Sequence, residues 1–313
     1  MRFSILLVLF SLVGCSLQKM AMRSATPVFQ KSTHNMMTEG NWEFFKASSP
    51  GNIKMMELMW QQDPENLELL SMVIKSYAGY AFGIHETLAF RDDLEGKEDS
   101  PSKKEAIAFY TRAFDYGLFY LSKKGISSSD LLSNDEEKLT KKLKDLDEDD
   151  AYAALYTGQV WASLINLQKD NMALISQVPK VKLIFDRVCT LKPDIDHNVC
   201  DIFYAQYEAA RPKMLGGNPE KGEQLFIAAI EKNPKNLLIR MNYIQFVVIP
   251  LMDGEKYEKI AASMKEEIAK WESLNRDSLE NTSPYRDVPE LNLYNAIAKK
   301  RFEFVEKNKK KIF

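Results

Sequence analysis

Residues 219–236 read PEKGEQLFIAAIEKNPKN, and the spacing of Gly222, Phe226, Ala229 and Pro234 within them decides the fold. Intervals of four and three place Gly222, Phe226 and Ala229 on one face of an α-helix in the order small, large, small, which lets a neighbouring helix come close. Pro234 cannot continue that helix, and Asn233-Pro234-Lys235-Asn236 supplies a turn into the next one. The same intervals occur in Val181-Phe185-Val188-Pro193 and Asn52-Met56-Met59-Pro64, and Ala106-Tyr110-Ala113 keeps the first two. A unit repeated in this way buries its apolar face only against its neighbours, so the spacing predicts a stack of antiparallel helices.

These intervals match the second helix of a tetratricopeptide unit. The copies begin at residues 52, 106, 181 and 222, further apart than the regular period of about 34 residues, so insertions interrupt the array. The clearest insertion, 125–150, contains NDEEKLTKKLKDLDEDD and reads as an extra charged surface helix, not a catalytic carboxylate cluster. Helical spacing also relates Ile53, Met56, Leu58 and Met59, then Leu155, Val160, Leu164 and Leu167, then Ile260, Met264, Ile268 and Trp271. Strand-like alternation is absent. The expected fold is all-α, an irregular tetratricopeptide-like helical-repeat stack with one continuous core. Its helices are expected near 41–62, 65–92, 101–123, 150–168, 174–192, 199–212, 219–232, 236–252, 255–275 and 289–308.

Upstream of the stack, Arg2 precedes an apolar run from Phe3 to Val13, and Leu12-Val13-Gly14-Cys15 closes it. Charge, short apolar core and cysteine make a lipoprotein signal in which the Cys15 thiol accepts a diacylglyceryl group. The run falls short of the roughly 20 residues needed to span a bilayer. The expected division is therefore a signal peptide over 1–14, a lipidated N-terminus and tether over 15–38, and a helical-repeat domain over 39–313. That places the protein in a bacterial cell envelope, lipid-anchored and facing the periplasm. Ser16, where an Asp would favour retention at the inner membrane, favours the outer membrane.

The formal charge of −2 gives no global reason to bind nucleic acid. The basic tail Lys307, Lys309, Lys310 and Lys311 suits the end of a helix, where cations complement the dipole. Cys189 and Cys200 flank the turn CTLKPDIDHNVC, where they would be either a disulfide or two small core residues on facing helices. With His197 between them they make a poor zinc site. Enzyme signals are weak. His85-Glu86-Thr87-Leu88-Ala89 lacks the second histidine of a zincin helix, and the three histidines His34, His85 and His197 are scattered. No nucleophile elbow or phosphate-binding glycine loop occurs, so neither catalytic residues, metal nor cofactor are expected.

In such stacks the first helix of each pair lines the concave face, and here those helices carry Tyr152, Tyr156, Trp161, Tyr204, Tyr207, Tyr243 and Phe246. Tyrosine and tryptophan suit partner or ligand recognition; filling the core is the other role open to them. Residues 207–221, YEAARPKMLGGNPEK, are similar to the signature of the TatT family of lipoproteins associated with TRAP transporters, and 151–171 also resembles that family. Physically, Pro212 ends a helix, Gly216-Gly217 permit positive φ, and Asn218-Pro219 caps and starts the next helix. Arg211 and Lys213 could meet a carboxylate on a solute or partner, or Arg211 could complement its own helix end. Gly222 replaces the usual alanine, which would loosen its helix contact by at most about 1 kcal/mol. The resemblance implies a periplasm-facing homotrimer that docks a TRAP-type extracytoplasmic solute receptor and offers the solute a pocket or channel. A protein-binding scaffold in envelope assembly is the alternative that a helical-repeat lipoprotein leaves open.

Overall fold

A computed structural model describes residues 19–20, 23–29, 31, 36–274 and 283–313. Cys15, the signal over 1–14 and His34 lie outside the described residues. Every regular element among the described residues is helical. The first pair is α1 (Trp42–Gln62) and α2 (Leu67–Tyr80); α2 passes through a π-helical turn, Ala81–Glu86, into α3 (Thr87–Leu94). There follow α4 (Pro101–Lys123), the short α5 (Ser128–Leu132) and α6 (Glu136–Leu143), α7 (Ala151–Leu167), α8 (Met172–Ile175), α9 (Val178–Leu191) and α10 (Ile195–Ala210). The chain ends with α11 (Pro219–Lys232), α12 (Leu237–Tyr243) with a second π-helical turn, Ile244–Val248, α13 (Ile249–Leu251), α14 (Gly254–Glu272) and α15 (Asn292–Ile312).

Local chemistry sets these boundaries. The side chains of Asn41, Asn66, Ser100, Asn218, Asn236 and Asp253 accept from backbone N–H groups in the first turns of α1, α2, α4, α11, α12 and α14, supplying acceptors that a helix N-terminus lacks. Pro101 and Pro219 sit in first turns, where a missing N–H costs nothing. The repeat positions pack as their spacing predicts: Ala106, Tyr110, Ala113, Val181, Phe185, Val188, Phe226 and Ala229 are all buried. On α1 the pattern holds for Ile53 and Met56, but Leu58 faces outward.

Three features depart from the sequence expectation. The buried residues group into two clusters that meet at Phe114. Insertion 125–150 is two short helices, not one surface helix, and its Leu131, Leu139, Leu143 and Leu146 join Leu155, Val181, Phe185 and Phe203 in the second cluster. The segment expected as one helix over 174–192 breaks after Ile175, so α8 and α9 are separate. Gly222 tightens rather than loosens its contact. A Cβ there would lie 2.6 Å from the Ala209 backbone nitrogen and 2.7 Å from its Cβ, so the missing side chain lets α11 seat on α10.

The C-terminal helix closes the stack. Helix α15 touches α1, α3 and α12, and Leu293 N donates to the Met37 carbonyl at 3.0 Å. Arg301, buried, reaches both π-helical turns: Nε donates to Thr87 Oγ1 (2.9 Å), Nη2 to the Phe82 carbonyl (3.0 Å) and Nη1 to Gln245 Oε1 (3.2 Å). Its Nη2 also lies 3.4 Å from Glu86 Oε1, while Glu86 Oε2 accepts from the Tyr110 hydroxyl. A second buried carboxylate, Glu57 on α1, accepts from Lys54, Arg112 and Tyr116. Burial works against its charged form, but these donors outweigh it and hold its pKa down at about 2.

Gly222→Ala tests the packing argument. Alanine is the better helix former by about 1 kcal/mol, yet overpacking against a backbone costs about 1–3 kcal/mol. The variant should be less stable than the parent in urea unfolding; equal or greater stability would contradict the close approach.

Candidate functional site

The signature run forms a rigid loop between α10 and α11. Pro212 ends α10, Lys213–Leu215 make a 3-10 turn, and Gly216 takes φ +80°. Gly217 is needed for space, since a Cβ there would stand 1.9 Å from the Arg211 carbonyl oxygen. Asn218 N donates to the Glu208 carbonyl (2.9 Å), and its side chain caps Lys221 N before Pro219 opens α11. Arg211 staples this loop: Nε donates to the Tyr207 carbonyl (2.8 Å), Nη1 to Leu215 O (3.1 Å) and Nη2 to Gly216 O (3.0 Å). Its guanidinium also lies 3.6 Å from the Tyr207 ring centre. All three of its nitrogens thus serve the end of α10 and the loop. Lys213 pairs with Glu220 at 2.7 Å in full solvent, an arrangement that contributes little to stability.

A second constellation lies where α2, α7, α15 and the left-handed start of α10 converge. Cys189 and Cys200 are joined in a disulfide, their Cα atoms 5.9 Å apart. Inside the loop it closes, Asp196, His197 and Asn198 hold φ of 46°, 59° and 65°. Left-handed backbone costs an ordinary L-residue roughly 1–2 kcal/mol, though Asp and Asn tolerate it better. Specific contacts offset that cost. Asp196 Oδ2 accepts from the hydroxyls of Tyr156 (3.0 Å) and Tyr294 (2.7 Å), and Asn198 Nδ2 donates to Asn233 Oδ1 (2.8 Å). Burial, with the Asp196 charge beside them, pushes both phenols well above their ordinary pKa, so they remain neutral donors. Tyr152, 41 % exposed, stacks on Tyr156, and the ammonium groups of Lys75 and Lys192 each lie 5.7 Å from its ring centre. Cations set beside an exposed phenol ring form a surface able to receive an anionic group.

The remaining aromatics chosen from sequence are mostly structural. Trp161 is buried and donates to Gln177 Oε1 (2.8 Å); Tyr243 is buried and donates to Glu223 Oε1 (2.8 Å). Tyr204 donates to Asp186 Oδ1 (2.8 Å), and Tyr207 lies under Arg211. Lys75, Asp196 and Tyr294 were not candidates in the sequence, because they reach Tyr156 only through the packing of three other elements, α2, the start of α10 and α15, around α7. His85 stacks on Phe109, and burial lowers its pKa, which keeps the ring neutral. A cleft of about 480 Å³ runs between Trp42, Trp271, Ala296, Lys299 and Lys300. Its lysines pair with Glu43, Glu272 and Glu303. Among the described residues no group of three or more His, Cys, Asp or Glu is placed to hold a metal ion.

These features define an all-α helical-repeat protein. A family model described as TRAP transporter T-component matches residues 38–313, and the chain belongs to that family. Membership associates it with a TRAP transporter and hence with a bacterial envelope. No curated protein matches the chain.

Replacing both cysteines by alanine should cost about 3 kcal/mol, the value expected for closing so short a loop. Thermal unfolding with and without reductant checks this: the parent should lose stability on reduction, and the double variant should be indifferent.

Proposed function

We propose that this protein is a lipid-anchored, periplasm-facing accessory of a TRAP-type secondary transporter that binds the transporter's solute receptor, contacts the solute and performs no chemistry. The observation that carries the reading is the family match over nearly the whole helical stack. Anchoring through Cys15 rests on Leu12-Val13-Gly14-Cys15 at the end of the short apolar run. No described helix is long and apolar enough to cross a membrane, and the anchor would supply the membrane attachment. Contact with the solute is supported by Tyr152 with Lys75 and Lys192, an aromatic surface bearing two cations. Assembly as a homotrimer and residence in the outer membrane belong to the same reading, drawn from the family resemblance and from Ser16.

Two measurements test it. Radiolabelled palmitate should be incorporated into the protein in cells, and Cys15→Ser should abolish the label; persistent labelling would remove the anchor. Purified full-length protein in detergent should bind the purified solute receptor of the same bacterium in calorimetry. No heat of binding, together with co-purification of envelope-assembly proteins, would favour the scaffold instead.

A further inference from the structure

Side chains from the loop that Cys189 and Cys200 close reach three other parts of the stack. Lys192 lies over the Tyr152 ring of α7, Asp196 accepts from Tyr156 of α7 and Tyr294 of α15, and Asn198 donates to Asn233 beyond α11. His197 meets the Tyr294 ring edge-on at 5.8 Å, so two successive residues hold that one side chain. Tyr294 stands between the other polar anchors at the start of α15. Asn292 Nδ2 donates to the Thr38 carbonyl (3.1 Å); Asn295 accepts from Leu237 N (2.9 Å) and donates to the Lys235 carbonyl (3.2 Å). Through Tyr294 the closing helix is thus tied to the disulfide-closed loop.

The loop's backbone is not one that the chain keeps unaided. Asp196, His197 and Asn198 all hold left-handed φ and none is glycine, whereas L-residues visit that region singly, not in runs. Such a conformation persists only where its surroundings over-determine it. Here the surroundings are the covalent link and the hydrogen bonds of Asp196 and Asn198. Without the link, ordinary backbone becomes available to all three residues, and adopting it carries the Asp196 carboxylate away from both hydroxyls. The neighbouring helices do not need the link. Ile184, Phe185 and Val188 of α9 share a buried cluster with Phe203 of α10, and Gly222 seats α11 on α10. The bond is also reachable, since Cys200 is buried but Cys189 only half-buried. One thiolate of a dithiol attacks the Cys189 sulfur, and Cys200 leaves as a thiolate and takes up a proton. The second thiol then displaces Cys189, so the dithiol ends as a disulfide and two electrons pass to the protein.

We infer that the Cys189–Cys200 loop is a redox latch: exchange with a dithiol opens it, frees the start of α15 and withdraws Lys192 and Asp196 from the tyrosines of α7. The loop is then the two-state element that the thiol chemistry biases. Hydrogen exchange of the full-length protein with and without dithiothreitol tests this, with alkylation and peptide mass spectrometry to confirm free thiols at Cys189 and Cys200. Amides over 293–300 should exchange about tenfold or more faster after reduction, as a local opening allows, while α2 and α4 keep their protection. Unchanged exchange over 293–300 after complete reduction would overturn the inference. So would equal acceleration throughout the chain, which would make the bond a general staple, or a bond that opens only once the chain unfolds. Asp196→Gly supplies a second measurement. Glycine takes left-handed φ freely, so this variant removes the carboxylate without adding strain and leaves the disulfide in place. In its oxidised form it should show the same acceleration over 293–300, and reduction should add little more, as expected of groups in one network. Fully additive effects would sink the latch.

Discussion

The fold depends on one buried guanidinium. Arg301 has its nitrogens on a threonine hydroxyl, a glutamine amide, a main-chain carbonyl and a glutamate, and these partners lie on α3, on both π-helical turns and, through Glu86, next to Tyr110 of α4. A buried charge is tolerable only when it is paired and fully hydrogen-bonded. The requirement ties the last helix to the first two pairs. It also gives the π-helical turns a reason. The Phe82 carbonyl accepts from both Thr87 Oγ1 and Arg301, so a widened turn at Ala81–Glu86 presents backbone to the cation instead of closing on itself. Gln245 on the second such turn meets the same group from the other side.

Closure by α15 is also what turns a row of helices into a molecule with distinct surfaces. Tyr294 on α15 reaches Asp196 at the start of α10, so two segments far apart in the chain share one carboxylate with Tyr156. Around them lie exposed Tyr152 and two lysines. The signature loop has a different character. Its Arg211 is turned inward to hold the loop's shape, and what it offers outward is the Lys213–Glu220 pair with Met214 and half-exposed Leu215.

Much of this was legible in the sequence, and the limits have physical causes. Local spacing identifies Phe226, Phe185 and Tyr110 as core because a helix face is a short-range property. Caps and prolines mark most boundaries for the same reason. The insertion's share in the core could not be read, since its charge density hides four leucines that pack inward. Gly222 looked like a defect because its value depends on Ala209 across the interface. Of the aromatics chosen as binding residues, Trp161 and Tyr243 are buried and bonded to Gln177 and Glu223, partners that spacing within one helix does not reveal. Lys75 and Tyr294 were invisible for the complementary reason: nothing local distinguishes them until the chain closes on itself.

The disulfide-closed turn has a consequence for timing. Three successive left-handed residues are held between Cys189 and Cys200, and Asp196 among them anchors Tyr156 and Tyr294. In a reducing cytoplasm these thiols stay apart, and the turn must then form without the link that limits its freedom in the unfolded chain. Oxidation, by completing the turn, therefore also sets the carboxylate that α7 and α15 share.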